Sequence, residues 1–138
     1  MPEQPERDSP YVQHMNILHS PCERIDVPAL VDACEEPWYN QTLCQVNDSV
    51  VRLGVLHGEY HWHQHEEEDE FFFVLSGGLE IELEGGGAVT LGPQQGYVVP
   101  RGMQHRPVAA ERTVLLMVET AGIDPLGRAP AANVGPQG

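Results

Sequence analysis

From about residue 42 onward, apolar and polar positions alternate with a period of two, broken at short intervals by glycine or proline. The plainest instance is "LEIELE", where Leu79, Ile81 and Leu83 point one way and Glu80, Glu82 and Glu84 the other. That is the pattern of a strand with one face buried and one in water. Between such runs, "SGG" at 76–78, "EGGG" at 84–87, "LGP" at 91–93 and "PRG" at 100–102 supply glycine for positive φ or proline for a preset φ. The pattern predicts strands near 42–46, 49–57, 59–65, 70–76, 79–84, 88–91, 96–100, 104–109 and 113–119. Short strands at this spacing suit a closed barrel or a jelly roll, so the expected fold class is all-β.

One helix is expected ahead of the strands. In "DVPALVDACEEPW", Asp26 can cap it, Pro28 fits its first turn, and Val27, Leu30, Val31 and Cys34 share a face. Pro37 ends it, which places the helix at about 27–36. The whole chain, 138 residues, has the size of one domain. Its expected organisation is a flexible arm over 1–26, a barrel domain over 27–119 with the barrel at about 42–119, and a Pro/Gly/Ala-rich tail over 120–138.

Charge narrows the choice of partners. The net charge is −14, and all seven basic residues are arginines. So acidic a chain releases no counterions from phosphates, which argues against nucleic acid and anionic membranes as partners. Without lysine, no side-chain Schiff base can form. Cys22, Cys34 and Cys44 are odd in number and make no CxxC, so three reduced, mostly buried thiols are expected. With no signal-peptide pattern and no apolar run long enough to span a bilayer, the expected location is the cytoplasm.

The stretch "GEYHWHQHEEEDEFFFVLSG", residues 58–77, holds the candidate chemistry. It reads either as a solvated loop between strands or as part of a metal site. On a strand His61, His63 and His65 would share a face, with neighbouring pairs about 6–7 Å apart at Cα. That is close enough for two imidazoles to converge on one ion. Glu70 opens the apolar run, so that strand would fix its direction and would carry Phe72 and Val74 to the same interior face. Residues 66–69 read as a solvated acidic turn, with Asp69 the nearest substitute for Glu70. In "VVPRGMQHRP", His105 follows a proline–glycine turn from which it could enter the same cavity.

These residues resemble the two motifs of the cupin superfamily. The first reads His63, Gln64, His65, four residues, Glu70, six residues, Gly77; the centre of the second reads Pro100, Arg101, Gly102, Met103, Gln104, His105. The glycine that usually opens the first motif is replaced by His57, with Gly58 one step later; Gln94 replaces the glycine of the second, and Ala109 its closing asparagine. The resemblance covers roughly residues 45–119 and is closest to small single-domain bacterial cupins with a "WHxHxxxDE" motif. It implies a jelly-roll barrel that often forms a homodimer, with His63, His65, Glu70 and His105 binding a divalent metal inside.

Three imidazoles and a carboxylate suit Fe, Mn, Ni, Co or Zn. The implied function is binding of an oxygen-rich small molecule by metal chelation, with dioxygenase, isomerase, lyase or decarboxylase chemistry; a non-catalytic binding or sensory module is the alternative. His61 is a candidate catalytic base or a supporting residue. Phe72, Tyr97, Met103, Arg101 and Arg106 are candidates for the substrate pocket, the two arginines alternatively for salt bridges with the many acids.

Overall fold

The computed structural model describes residues 11–122. Strands β1 (Val12–His14), β2 (Trp38–Val46), β3 (Ser49–Glu59), β4 (Glu70–Ser76), β5 (Leu79–Leu83), β6 (Ala88–Leu91), β7 (Gly96–Val99) and β8 (His105–Thr120) surround a single interior, and helix α1 (Val27–Asp32) packs outside. Along one path the strand order is β1-β2-β3-β8-β4-β7. The long strand β8 closes the barrel: its last half pairs with β4, its first half with β5, and β3 runs along its other edge.

Interior and exterior follow directly from alternation. On β4, Glu70, Phe72 and Val74 are buried while Phe71, Phe73 and Leu75 are only partly so. On β5, Leu79 and Ile81 are fully buried and Glu80 is exposed, as "LEIELE" predicts. β3 is buried on both faces, because Leu56 meets the barrel core while Leu53 and Val55 join an outer cluster. Val27, Leu30, Val31 and Cys34 of the helical segment pack against that outer cluster, so the face read from the sequence is the face used.

Several elements differ in extent from the sequence reading. The helix stops at Asp32 rather than near 36, because Arg112 Nη2 takes the carbonyls of Val31 and Cys34 at 3.2 and 3.0 Å. The expected strands 104–109 and 113–119 are one strand, β8. The expected strand 59–65 is, beyond Glu59, an extended segment that carries the isolated bridge His63 to His105. Residues 1–10 of the expected arm and 123–138 of the expected tail lie outside the described residues. From Tyr11 the arm is docked: β1 pairs in parallel with β2, and Tyr11 packs edge-on against Trp38 and Tyr60. None of the three cysteines is paired, and none is fully buried, Cys22 being exposed in a turn at φ 74°.

Two replaced glycines have structural explanations. Gly58, one step after His57, takes φ 118° at the bulge where the β3–β8 register shifts. Gln94 adopts φ 66°, the left-handed conformation that a glycine would hold without strain. We expect Gln94→Gly to raise stability by about 0.5–1 kcal/mol, relief of the strained φ exceeding the added chain entropy. A denaturation midpoint at or below that of the wild type would contradict this.

Candidate metal centre

The two halves of the site are brought together by an interrupted antiparallel pairing between residues 60–65 and 102–107. Tyr60 N donates to Pro107 O, His63 and His105 exchange both backbone hydrogen bonds at 3.0 and 2.8 Å, and Gly102 N donates to His65 O. His63 and His105 are therefore direct cross-strand partners, with ring centroids 4.3 Å apart. Glu70 opens β4 beside Val99 of β7, which fixes its side chain toward the interior. The preceding acids turn away: Asp69 accepts from Arg101 N at 2.9 Å, a bond that holds its carboxyl below the usual range, and Glu66 and Glu67 are exposed.

His63, His65, Glu70 and His105 each place a ligand atom within 4.8 Å of the others, and all four are buried. His63 Nδ1 meets the carbonyl of His61, and His105 Nδ1 that of Met103, each at 3.0 Å. Because a carbonyl only accepts, both Nδ1 atoms must carry the proton, which leaves Nε2 as a lone pair for the site. Burial and the neighbouring His105 lower the His63 pKa to about 3, so its ring stays neutral. Burial alone would raise Glu70, but the adjoining imidazoles of His105 and His65 outweigh it and hold the carboxyl well below the usual range.

At His105 an acceptor thus faces an acceptor. Glu70 Oε1 lies 3.4 Å from His65 Nε2 and 3.5 Å from His105 Nε2, and none of these buried atoms has a hydrogen-bond partner. Converging lone pairs in a dry interior are costly unless a cation sits among them, so this donor set fits a divalent metal ion.

A cavity of about 30 Å³ adjoins the cluster. Trp38, Leu56, Phe72 and Met117 form apolar walls, and Asn40, Arg52, Tyr60, His63 and Glu70 supply the polar groups. Of the sequence-derived pocket residues, Phe72 stands in this wall and the other four lie elsewhere. Arg101 is exposed and paired with Asp69; Arg106 bridges Glu82 and Glu59 beneath Trp62. Tyr97 and Met103 pack against the core from its edge. The imidazole of His61 is half-buried against Tyr60, at 4.1 Å between centroids, and its carbonyl orients His63.

Sequence reading missed the second charged layer. Arg52 is completely buried, donates from Nε to Thr42 Oγ1 at 3.0 Å, and pairs through Nη1 with the buried Glu119 at 3.1 Å. Glu119 in turn adjoins Glu70: burial and that neighbouring carboxylate push Glu119 well above the usual carboxylate range. Of the two acids, Glu70 carries the charge. A signal for this layer was present, since a lone arginine inside the apolar run "VVRLGVL" must be buried with a partner if the strand is covered on both faces.

The family model for the cupin domain matches residues 50–119. The chain belongs to the cupin domain family. This cupin is 38% identical over 91 residues to the uncharacterized protein YdbB of Bacillus subtilis, a match that covers 66% of this chain and 80% of that one. Among solved structures it is similar to a cupin-2 domain containing protein from Shewanella frigidimarina, with 29% identity and a TM-score of 0.66 over 70% of this chain and 93% of the other. It is also similar to KdgF from Halomonas sp., with 26% identity and a TM-score of 0.56 over 63% and 82% of the two chains. The jelly-roll cupin barrel expected from the motifs is the observed fold, and its buried His/Glu cluster could bind a metal.

Proposed function

We propose that this cupin holds one divalent transition metal per subunit (Fe, Mn, Ni, Co or Zn) on His63, His65, Glu70 and His105, and acts on an oxygen-rich small molecule that chelates the ion. The observation that carries this reading is the convergence of His65 Nε2, His105 Nε2 and Glu70 Oε1, all buried and all without a hydrogen-bond partner. A bound ion of this type supplies Lewis-acid or oxygen-activating chemistry, as in dioxygenase, isomerase, lyase or decarboxylase reactions. The chain's own residues hold the site ready. The carbonyls of His61 and Met103 set the tautomers, and Trp38, Leu56, Phe72 and Met117 keep bulk water from the ligand. In this reading His61 acts as a positioning residue through its carbonyl.

Metal analysis tests the proposal. Wild-type protein is expected to carry about one equivalent of divalent metal, and His63→Ala and His105→Ala almost none. Equal metal content in all three would refute it. A second reading, a metabolite-binding or sensory module, is favoured by the cavity wall: beyond the proposed ligands its titratable groups are Arg52 and Tyr60, and burial raises the Tyr60 phenol. Neither exchanges a proton readily near neutral pH. Turnover with any metal under air or argon would exclude that module, and oxygen uptake would mark a dioxygenase.

We further propose a cytoplasmic homodimer. Among the described residues no helix is long and apolar enough to cross a membrane, and the three thiols are unpaired. On the outer face of adjacent strands β7, β4 and β8, Phe71 lies between its register partners Val98 and Val118, which are 49% and 36% exposed. A second copy covering this apolar row would remove it from water. Val118→Arg is expected to convert the dimer to a monomer in sedimentation experiments; an unchanged sedimentation coefficient would place the interface elsewhere.

A further inference from the structure

We propose that Arg52 is the anchor for a carboxylate of the small-molecule ligand, so that the ligand is a small acid whose chelating oxygens face the metal site and whose second carboxylate faces Arg52. This rests on the metal reading above. The Arg52 side chain is 1% exposed, with Nε spent on Thr42 and Nη1 on Glu119, but Nη2 has no partner and lies in a residue lining the cavity. Asn40 Oδ1, in the same wall, is also buried and without a partner, and as an acceptor it suits a hydroxyl of the ligand rather than its carboxylate. A cavity that served only packing would be apolar and dry; one with two orphaned polar groups is built for something that bonds to them.

Its size and neighbours narrow the ligand. A space of about 30 Å³ has room for about two water molecules, which the two oxygens of a carboxylate can replace. The planar guanidinium matches a planar carboxylate, and buried arginine is suited to this contact. His63 and Glu70 line the same cavity as Arg52, so a molecule only a few bonds long would touch both the metal side and the guanidinium. A divalent ion together with Arg52 would bring more positive charge than Glu70 and Glu119 can cancel, and an anionic ligand would remove the surplus.

The test uses malate and lactate, which share a chelating 2-hydroxycarboxylate end but differ in a second carboxylate. Isothermal titration of metal-loaded wild-type protein is expected to show malate binding at least about tenfold tighter than lactate, the scale of one charged hydrogen-bonded contact. Arg52→Lys keeps the charge beside Glu119 but removes the Nη2 donor, and is expected to abolish the malate advantage over lactate. Should that variant fail to fold, the wild type titrated with the monoamide of malate's distal carboxylate should show the same tenfold loss. Equal binding of malate and lactate by the wild type, no binding of either, or a malate advantage that survives the lysine variant would overturn the assignment. Failure of the metal reading is separate: it appears as equal metal content in wild type and His63→Ala, and the malate–lactate difference is then read on metal-free protein.

Discussion

Glu70→Gln is expected to lower metal affinity by at least about a hundredfold while leaving the metal-free protein as stable as the wild type or more so. Removing outer-shell partners of metal ligands already costs about 10–100-fold, and Glu70 supplies the only anionic donor of the cluster described here. Without a cation its carboxylate faces the lone pair of His105 Nε2 at 3.5 Å and stands next to Glu119, a poor arrangement for folding. A glutamine of the same shape removes that charge and can turn an N–H toward an imidazole. Metal titration followed by thermal denaturation, with and without added ion, reads both effects. Loss of metal-free stability by several kcal/mol would show that Glu70 serves the fold rather than a ligand.

The second large effect concerns the charged layer behind the site. Glu119→Ala is expected to destabilise the protein by about 3–5 kcal/mol, because it leaves the guanidinium of Arg52 buried without its carboxyl partner. For a domain of this size that corresponds to a fall of about 10–20 °C in Tm. Glu119→Gln is expected to cost less than about 1.5 kcal/mol, since burial and Glu70 hold the Glu119 carboxyl in its neutral form, which glutamine imitates with a carbonyl acceptor for Arg52 Nη1. The contrast is the informative quantity. If glutamine proves as damaging as alanine, Glu119 carries a charge in the folded protein and the division of roles between the two acids is wrong.

The extent to which the fold was legible depends on how local each signal is. Alternation in "LEIELE" and "FFFVLS" is a property of neighbouring residues, and it assigned the interior faces of β4 and β5 correctly. The apolar face of the helical segment was legible for the same reason, but its end was not, because a guanidinium 81 residues away in sequence caps the Val31 carbonyl. Arg101 and Arg106 next to His105 suited a ligand but, in so acidic a chain, suited salt bridges better, and the structure pairs both with carboxylates. Sequence proximity to His105 carried no information about which face of the barrel they occupy.

The two-residue period and the turns between strands were sufficient to specify an all-β barrel, and the resemblance of two motifs to the cupin superfamily named the four residues that the fold gathers within 4.8 Å, His63, His65, Glu70 and His105. The composition of the adjoining cavity was beyond such signals. Asn40 and Arg52 of its wall come from β2 and β3, and Glu119 behind them from β8; they are brought close because Thr42 pairs with Arg52, Arg52 with Met117, and Val50 with Glu119. Such register is a long-range property: it depends on which strands the closed barrel makes neighbours, and only closure puts one buried arginine beside one buried acid and in the wall of the cavity that His63 and Glu70 also line.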